Sequence, residues 1–242
     1  MFRFASRAVV AIAACALVAP SVRAQDASTP APADSRPTVA VMHFNNGAIG
    51  KAHEELDPLR GGIADILTSE LSANSGIRVI ERDQLDKLVA EQNLSANGSV
   101  DKATAVRVGK LLGVHHMIFG SYVSDRKERV RFDARAVNVE TGEIEHVETV
   151  SGKLDDFSDL ITTLAAKLNS GLKLPAMPAR TAQAPAKPPF QVVMLYSRAI
   201  AEENGGRREE AVKLYRAALD KFPEYAPAKK ALDRLASPKS GD

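Results

Sequence analysis

Val106-Arg-Val-Gly-Lys-Leu-Leu-Gly-Val-His-His-Met-Ile-Phe-Gly-Ser-Tyr-Val123 reads as a helix closing into a strand. Val108, Leu111 and Leu112 fall on one helical face, and Gly113 ends the helix where a left-handed residue carries no Cβ penalty. Met117-Ile118-Phe119 then opens a buried strand. One segment thus carries both layers of an α/β core. Nothing in it is catalytic, so the domain is expected to hold, position or assemble.

Upstream, Thr38-Val-Ala-Val-Met-His-Phe44 is nearly continuous in apolar residues, as a strand covered on both faces should be. Asn45-Asn46-Gly47 turns the chain. Asp57-Pro58 offers an N-cap and a first-position proline for a helix whose apolar face is Leu59, Ile63, Ile66, Leu67 and Leu71. Asn74-Ser75-Gly76 ends it, Ile77 to Ile80 is a short strand, and Asp83 caps a second helix carrying Leu85, Leu88 and Val89. A third helix runs from about Asp101 into the opening segment.

Downstream, Val130, Phe132, Ala134 and Ala136 alternate with Arg131, Asp133 and Arg135, which predicts a strand with one wet face. Val137 to Glu145 reads as an antiparallel hairpin turning at Gly142 with positive φ, and Phe157 to Leu168 as a fourth helix presenting Phe157, Leu160, Ile161, Leu164 and Leu168.

The ends differ in character from this core. Arg3 and Arg7, the apolar Ala8 to Ala19, and Val22-Arg23-Ala24 form an export-signal pattern over residues 1–24, with Ala24 as the cleavage point. Ile12-Ala13-Ala14-Cys15 also resembles a lipobox, but the apolar Ala16-Leu17-Val18-Ala19 that follows favours ordinary cleavage over lipid anchoring at Cys15. Cleavage at Ala24 leaves no cysteine, which excludes disulfides and thiol chemistry. Residues 25–37 read as a disordered tether, 38–174 as the α/β domain, and 175–189, with Pro175, Pro178, Pro185, Pro188 and Pro189, as a linker. Residues 190–236 read as a small helical domain and 237–242 as a tail. In the helical part, Ala199, Gly206, Ala211, Tyr215, Ala218 and Pro223 have the spacing of a tetratricopeptide repeat, with Arg198 and Glu202 where that repeat has large apolar residues. One such unit buries its apolar face poorly and must lean on the first domain, another subunit or a partner.

The net charge of +2, mixed along the chain, and the absence of tryptophan give no basic, aromatic groove for nucleic acid. Asn46-Gly47-Ala-Ile-Gly50-Lys51 lacks phosphate-loop spacing and reads as a plain loop. His115 and His116 are neighbours on a strand and point to opposite faces, and His43, His53 and His146 share no ligand spacing with them, so all read as structural or surface histidines. Asp155, Asp156 and Asp159 have the ordinary role of capping a helix start. Glu81-Arg82-Asp83, at a strand-to-helix corner, reads as a structural salt bridge or a subunit contact. No catalytic, metal or cofactor site emerges. The exposed faces of the repeat, with Arg198, Glu202, Arg207, Arg208 and Lys213, are the candidate partner-binding surface.

Three segments carry a resemblance: Arg78-Val-Ile-Glu-Arg-Asp-Gln-Leu-Asp-Lys-Leu, Leu111-Leu-Gly-Val-His-His-Met-Ile-Phe-Gly-Ser, and Ala136-Val-Asn-Val-Glu-Thr-Gly-Glu-Ile. In this order they resemble the signature segments of the curli secretion-channel (CsgG) family, a likeness covering Thr38 to about Leu172. The resemblance implies an α/β fold with a mixed sheet, antiparallel hairpin strands and packed helices, similar to the TolB N-terminal domain, beside the all-α repeat. It also implies a periplasmic protein that forms homo-oligomers and has protein partners in the cell envelope. Channel members span the membrane with two inserted hairpins, whereas Ser124-Asp-Arg-Lys-Glu-Arg129 is short and charged against the roughly 9 to 11 residues a spanning strand needs. The expectation is therefore a non-enzymatic periplasmic scaffold, peripheral to the membrane at most. The alternative is an outer-membrane secretion-channel subunit, lipid-anchored through Cys15.

Overall fold

The computed structural model describes residues 34–91, 100–124, 129–178 and 187–236. The export signal with Cys15, most of the tether, residues 125–128 of the charged turn, the middle of the linker and the tail lie outside the described residues.

Five strands form one sheet in the order β2-β1-β3-β4-β5. β1 (Thr38–Asn46) pairs in parallel with β2 (Arg78–Val79) and with β3 (His116–Ser124), while β4 (Arg129–Asn138) and β5 (Ile144–Lys153) continue antiparallel. Parallel neighbours require long crossovers, and helices supply them. α1 (Lys51–Leu56) and α2 (Leu59–Ser72) join β1 to β2, and α3 (Arg82–Glu91) and α4 (Lys102–Leu112) lead from β2 to β3. α5 (Phe157–Gly171) follows β5, and α6 (Phe190–Asn204), α7 (Arg208–Lys221) and α8 (Ala226–Ala236) complete the chain.

The sheet is sandwiched. Val39, Val41, Phe44, Ile118 and Phe132 pack with Ile63 and Leu67 of α2 and Ile161 and Leu164 of α5. Ala40, Met42, Met117 and Val137 face the other way, onto Leu85 of α3 and Val108 of α4. Coverage on both sides is why β1 reads as an unbroken apolar run. On β4, Val130, Phe132, Ala134 and Ala136 are buried, whereas Arg131 and Arg135 are exposed, as the alternation requires.

The opening segment folds as read, with one correction. Asp101 accepts from Thr104 N at 2.8 Å to cap α4, and Gly113 ends it at φ 65°. Leu111, however, is half exposed, because the buried stripe runs through Ala105, Val108 and Gly109 with Leu112 partly covered. Gly142 turns the β4–β5 hairpin at φ 72°. Three other local readings change. Lys51, the last residue of the plain loop, opens the helix α1, and Asp57, expected to cap the next helix, is instead the C-cap of α1 while Pro58 precedes α2. Asp83 lies inside α3 and does not cap it. Asp156 precedes α5 without a side-chain capping bond, and Asp159 instead pairs with Lys187.

The C-terminal helices lean on α2. Gly61 and Gly62 remove the side chains that would separate α2 from α6: a Cβ on Gly62 would lie 2.7 Å from Ser197 Cβ, and one on Gly61 would lie 3.2 Å from Ile200 Cγ2. Val193 and Met194 thereby join the main core, and residues 36–242 make one compact unit. A third cluster, around Tyr196, Tyr215 and Tyr225, holds α6, α7 and α8 together.

Candidate functional site

The five residues expected to meet a partner are on the surface of α6 and α7, and four have partners within the chain. Glu202 pairs with Arg207 across the α6–α7 turn, Arg208 donates to Leu235 O at the end of α8, and Lys213 reaches Glu210 at 2.6 Å. Arg198 is exposed and has no ion-pair partner among the described residues. Arg208 and Lys213 are five residues apart on α7, so they do not share one face.

The Glu81-Arg82-Asp83 corner is a structural junction. Glu81 pairs with Lys230 at 3.0 Å and Asp83 with Arg234 at 3.4 Å, both on α8, while Arg234 also binds Glu203 of α6 at 2.5 Å. Beneath these exposed pairs, Tyr196 of α6 donates to the Asp65 carboxylate of α2. Burial pushes the Asp65 carboxyl above the usual range, and the Tyr196 hydrogen bond offsets only part of this. The seam is thus an apolar contact at Gly61 and Gly62, edged by a buried polar bond and three ion pairs.

A cleft of about 490 Å³ opens beside this seam, between β1, the α1–α2 junction, α3, α4 and α6. Its position follows from an irregularity in β1: Val41 stands opposite Ile118 and Phe44 opposite Gly120, so β1 holds one extra residue at Met42-His43. A bulge re-aims a side chain, here that of His43, which falls out of strand alternation. β2 ends at Val79, so the flank of β1 is met here by side chains of α3.

Arg82, buried at 7% exposure, donates to His43 Nε2 at 2.7 Å and to both Asp86 oxygens at 3.1 and 2.9 Å. His43 Nε2 also lies 3.2 Å from Asp86 Oδ1. Burial holds His43 below the usual histidine range, with the Asp86 hydrogen bond opposing this and Arg82 adding to it. Burial raises the Asp86 carboxyl, but His43 and the Arg82 guanidinium outweigh it and hold it below the usual carboxylate range. Above this polar floor, Met42, Val89, Val100 and Ile200 make apolar walls.

The other histidines are structural. His115 Nδ1 lies 3.0 Å from Thr38 N and 2.7 Å from Thr38 Oγ1, fixing the starts of β1 and β3 together, while His116 pairs with Glu145 at the start of β5. Sequence reasoning missed the His43–Arg82–Asp86 cluster because His43 lies on β1 and the other two on α3, far along the chain. Two signals were present: a histidine interrupting an apolar strand, and Arg82 and Asp86 at the i, i+4 spacing of a helical ion pair.

The family model for the curli production assembly/transport component CsgG matches residues 21–124. The match includes the first two resembling segments, ends before the third, and supports the resemblance. No curated protein matches the chain. Among solved structures, the LpoB C-terminal domain from Salmonella enterica aligns at 19% identity and TM-score 0.34, over 48% of this chain and 82% of its own. Lipoprotein GNA1162 from Neisseria meningitidis aligns at 12% identity and TM-score 0.38, over 57% and 98%. The PelC dodecamer from Paraburkholderia phytofirmans aligns at 14% and 0.36, over 58% and 90%.

Proposed function

We propose that this chain is a non-enzymatic assembly or scaffold protein of the cell envelope, related to the CsgG family. In this reading residues 1–24 direct export to the periplasm, the α/β sheet associates with further copies, and the C-terminal helices act as a tetratricopeptide-like unit that recruits a protein partner. The observation that carries the reading is what the family-matched segments build. Arg78 to Leu88 forms the β2–α3 corner to which α8 is clamped, and Leu111 to Ser121 forms the α4–β3 corner at the middle of the sheet. These are positions that dock one element on another. The short β3–β4 connection, where Ser124 already pairs with Val130, supports a scaffold over a membrane channel.

The test pairs light scattering of the mature chain with affinity capture from envelope extracts. The expected result is an oligomeric mass and a captured protein that Arg198→Glu combined with Lys213→Glu releases. A strictly monomeric chain that captures nothing overturns the reading. Deleting the helices is not a clean control, because Val193 and Met194 belong to the main core.

A further inference from the structure

One half of the sheet has a face that the helices leave open. Phe132, Ala134 and Ala136 of β4 pack in the core with α5, so the residues between them point away from it. On that outer face β4 presents Arg129, Arg131, Asp133 and Arg135, and β5 sets Lys153 opposite Arg129 and Val147 opposite Arg135. Val123 of β3 stands opposite Arg131, and Ile144 of β5 opposite Val137. α3 and α4 cover the same side of the sheet over β1, β3 and Val137, but no residue of β5 joins their cluster.

Two properties coincide on this face. Val123, Ile144 and Val147 are three of the five large apolar side chains that stand exposed among the described residues, and gathered on three adjacent strands they make a patch where single ones would be ordinary. The charge is one-sided as well. Arg129, Arg131, Arg135 and Lys153 face one carboxylate, Asp133, which already accepts from Arg131 at 2.7 Å and from Thr149 Oγ1 at 2.7 Å. Arg135 and Lys153 have no ion-pair partner among the described residues, and Glu145 nearby is taken by His116. A protein partner is usually anchored by a large side chain seated in a packed pocket. Here low aliphatic ridges alternate with the short Ser121, Thr149 and Ser151 and with long cations, which suits a lipid surface: aliphatic side chains enter the headgroup layer and cations meet the phosphates. We propose that this face docks on an anionic lipid surface, with Val123, Val147 and Ile144 entering it and Arg129, Arg131, Arg135 and Lys153 holding the headgroups. The envelope reading supplies only its setting, and vesicle binding is read apart from the mass and capture measurements that test that reading.

The probes are vesicles of phosphatidylcholine alone and of equal parts phosphatidylcholine and phosphatidylglycerol, each sedimented with the mature chain. Binding is expected to the mixed vesicles only, and is expected to vanish at about 1 M salt, where the screening length is roughly 3 Å. Arg135→Gln should weaken the partition about fivefold, the share of one cation near an anionic surface. Val123→Ser should weaken it several-fold without changing its salt dependence. Both variants alter exposed side chains on β3 and β4, inside the sheet, so its edge is untouched, and unchanged melting temperatures confirm that they fold. Arg216→Gln, which removes an exposed cation of α7, should bind as the wild type does. Equal binding to both kinds of vesicle, wild-type binding by both face variants, or an Arg216→Gln loss as large as that of Arg135→Gln would overturn the proposal. So would a chain that ignores the vesicles yet binds poly-L-glutamate through Arg135, which would give the face to an acidic protein segment.

Discussion

A methyl group on Gly62 would sit 2.7 Å from Cβ and 3.3 Å from Cα of Ser197, atoms that cannot rotate away. Gly62→Ala must therefore push α6 off α2, and overpacking of this kind costs about 1 to 3 kcal/mol. Denaturant unfolding should show that loss, and the same substitution on a Ser197→Gly background should cost less, since the two residues meet each other. Asp65, on the same seam, has a folded pKa raised above its ordinary 3.8, with burial as the main cause. A raised carboxyl means the folded state holds the proton more tightly than the unfolded chain. The stabilisation this gives is complete below 3.8 and is lost as pH rises through the folded value. Asp65→Asn cannot titrate, so melting temperatures measured across pH should move in the variant's favour as pH rises from 3.8, levelling off only above the folded value.

Elements were legible in the sequence wherever one periodicity acted alone. The α4–β3 segment, the wet-faced β4 and the Gly142 hairpin follow from spacing, because each is decided by residues close in the chain. α1 was not legible: Lys51 to Leu56 has no buried residue and so no apolar stripe. Nor was the bulge, because an extra residue in β1 is defined by its register with β3. The glycine pair in α2 carried a signal that was missed, since two adjacent glycines inside an amphipathic helix weaken it unless something packs close against them. That something is α6, whose Phe190, Val193 and Met194 cover the same core as α2 and α5. Removing residues 190–242 should therefore damage the α/β portion itself. The truncated chain is expected to bind a hydrophobic dye and to lose a cooperative melt, whereas an independent appendage would leave both unchanged.

For the whole molecule, the proposed self-association has a natural place at β5. This ten-residue strand is the last in the sheet, and Val147 and Ile144 on it are 57% and 43% exposed. A long edge with apolar side chains is a template for another strand unless charges guard it, and here the charges are themselves complementary. Two β5 strands paired antiparallel about Thr149 set Glu145 of each opposite Lys153 of the other and Val147 opposite Ser151. The two-fold axis makes every such pair count twice, at roughly 0.2 to 1 kcal/mol each. Glu145→Lys would replace both attractions by repulsions, and light scattering should show a shift toward monomer. Adding Lys153→Glu reverses both charges and should restore the wild-type mass. A double variant that stays dissociated would rule out this register, and a single variant that leaves the mass unchanged would remove β5 from the interface.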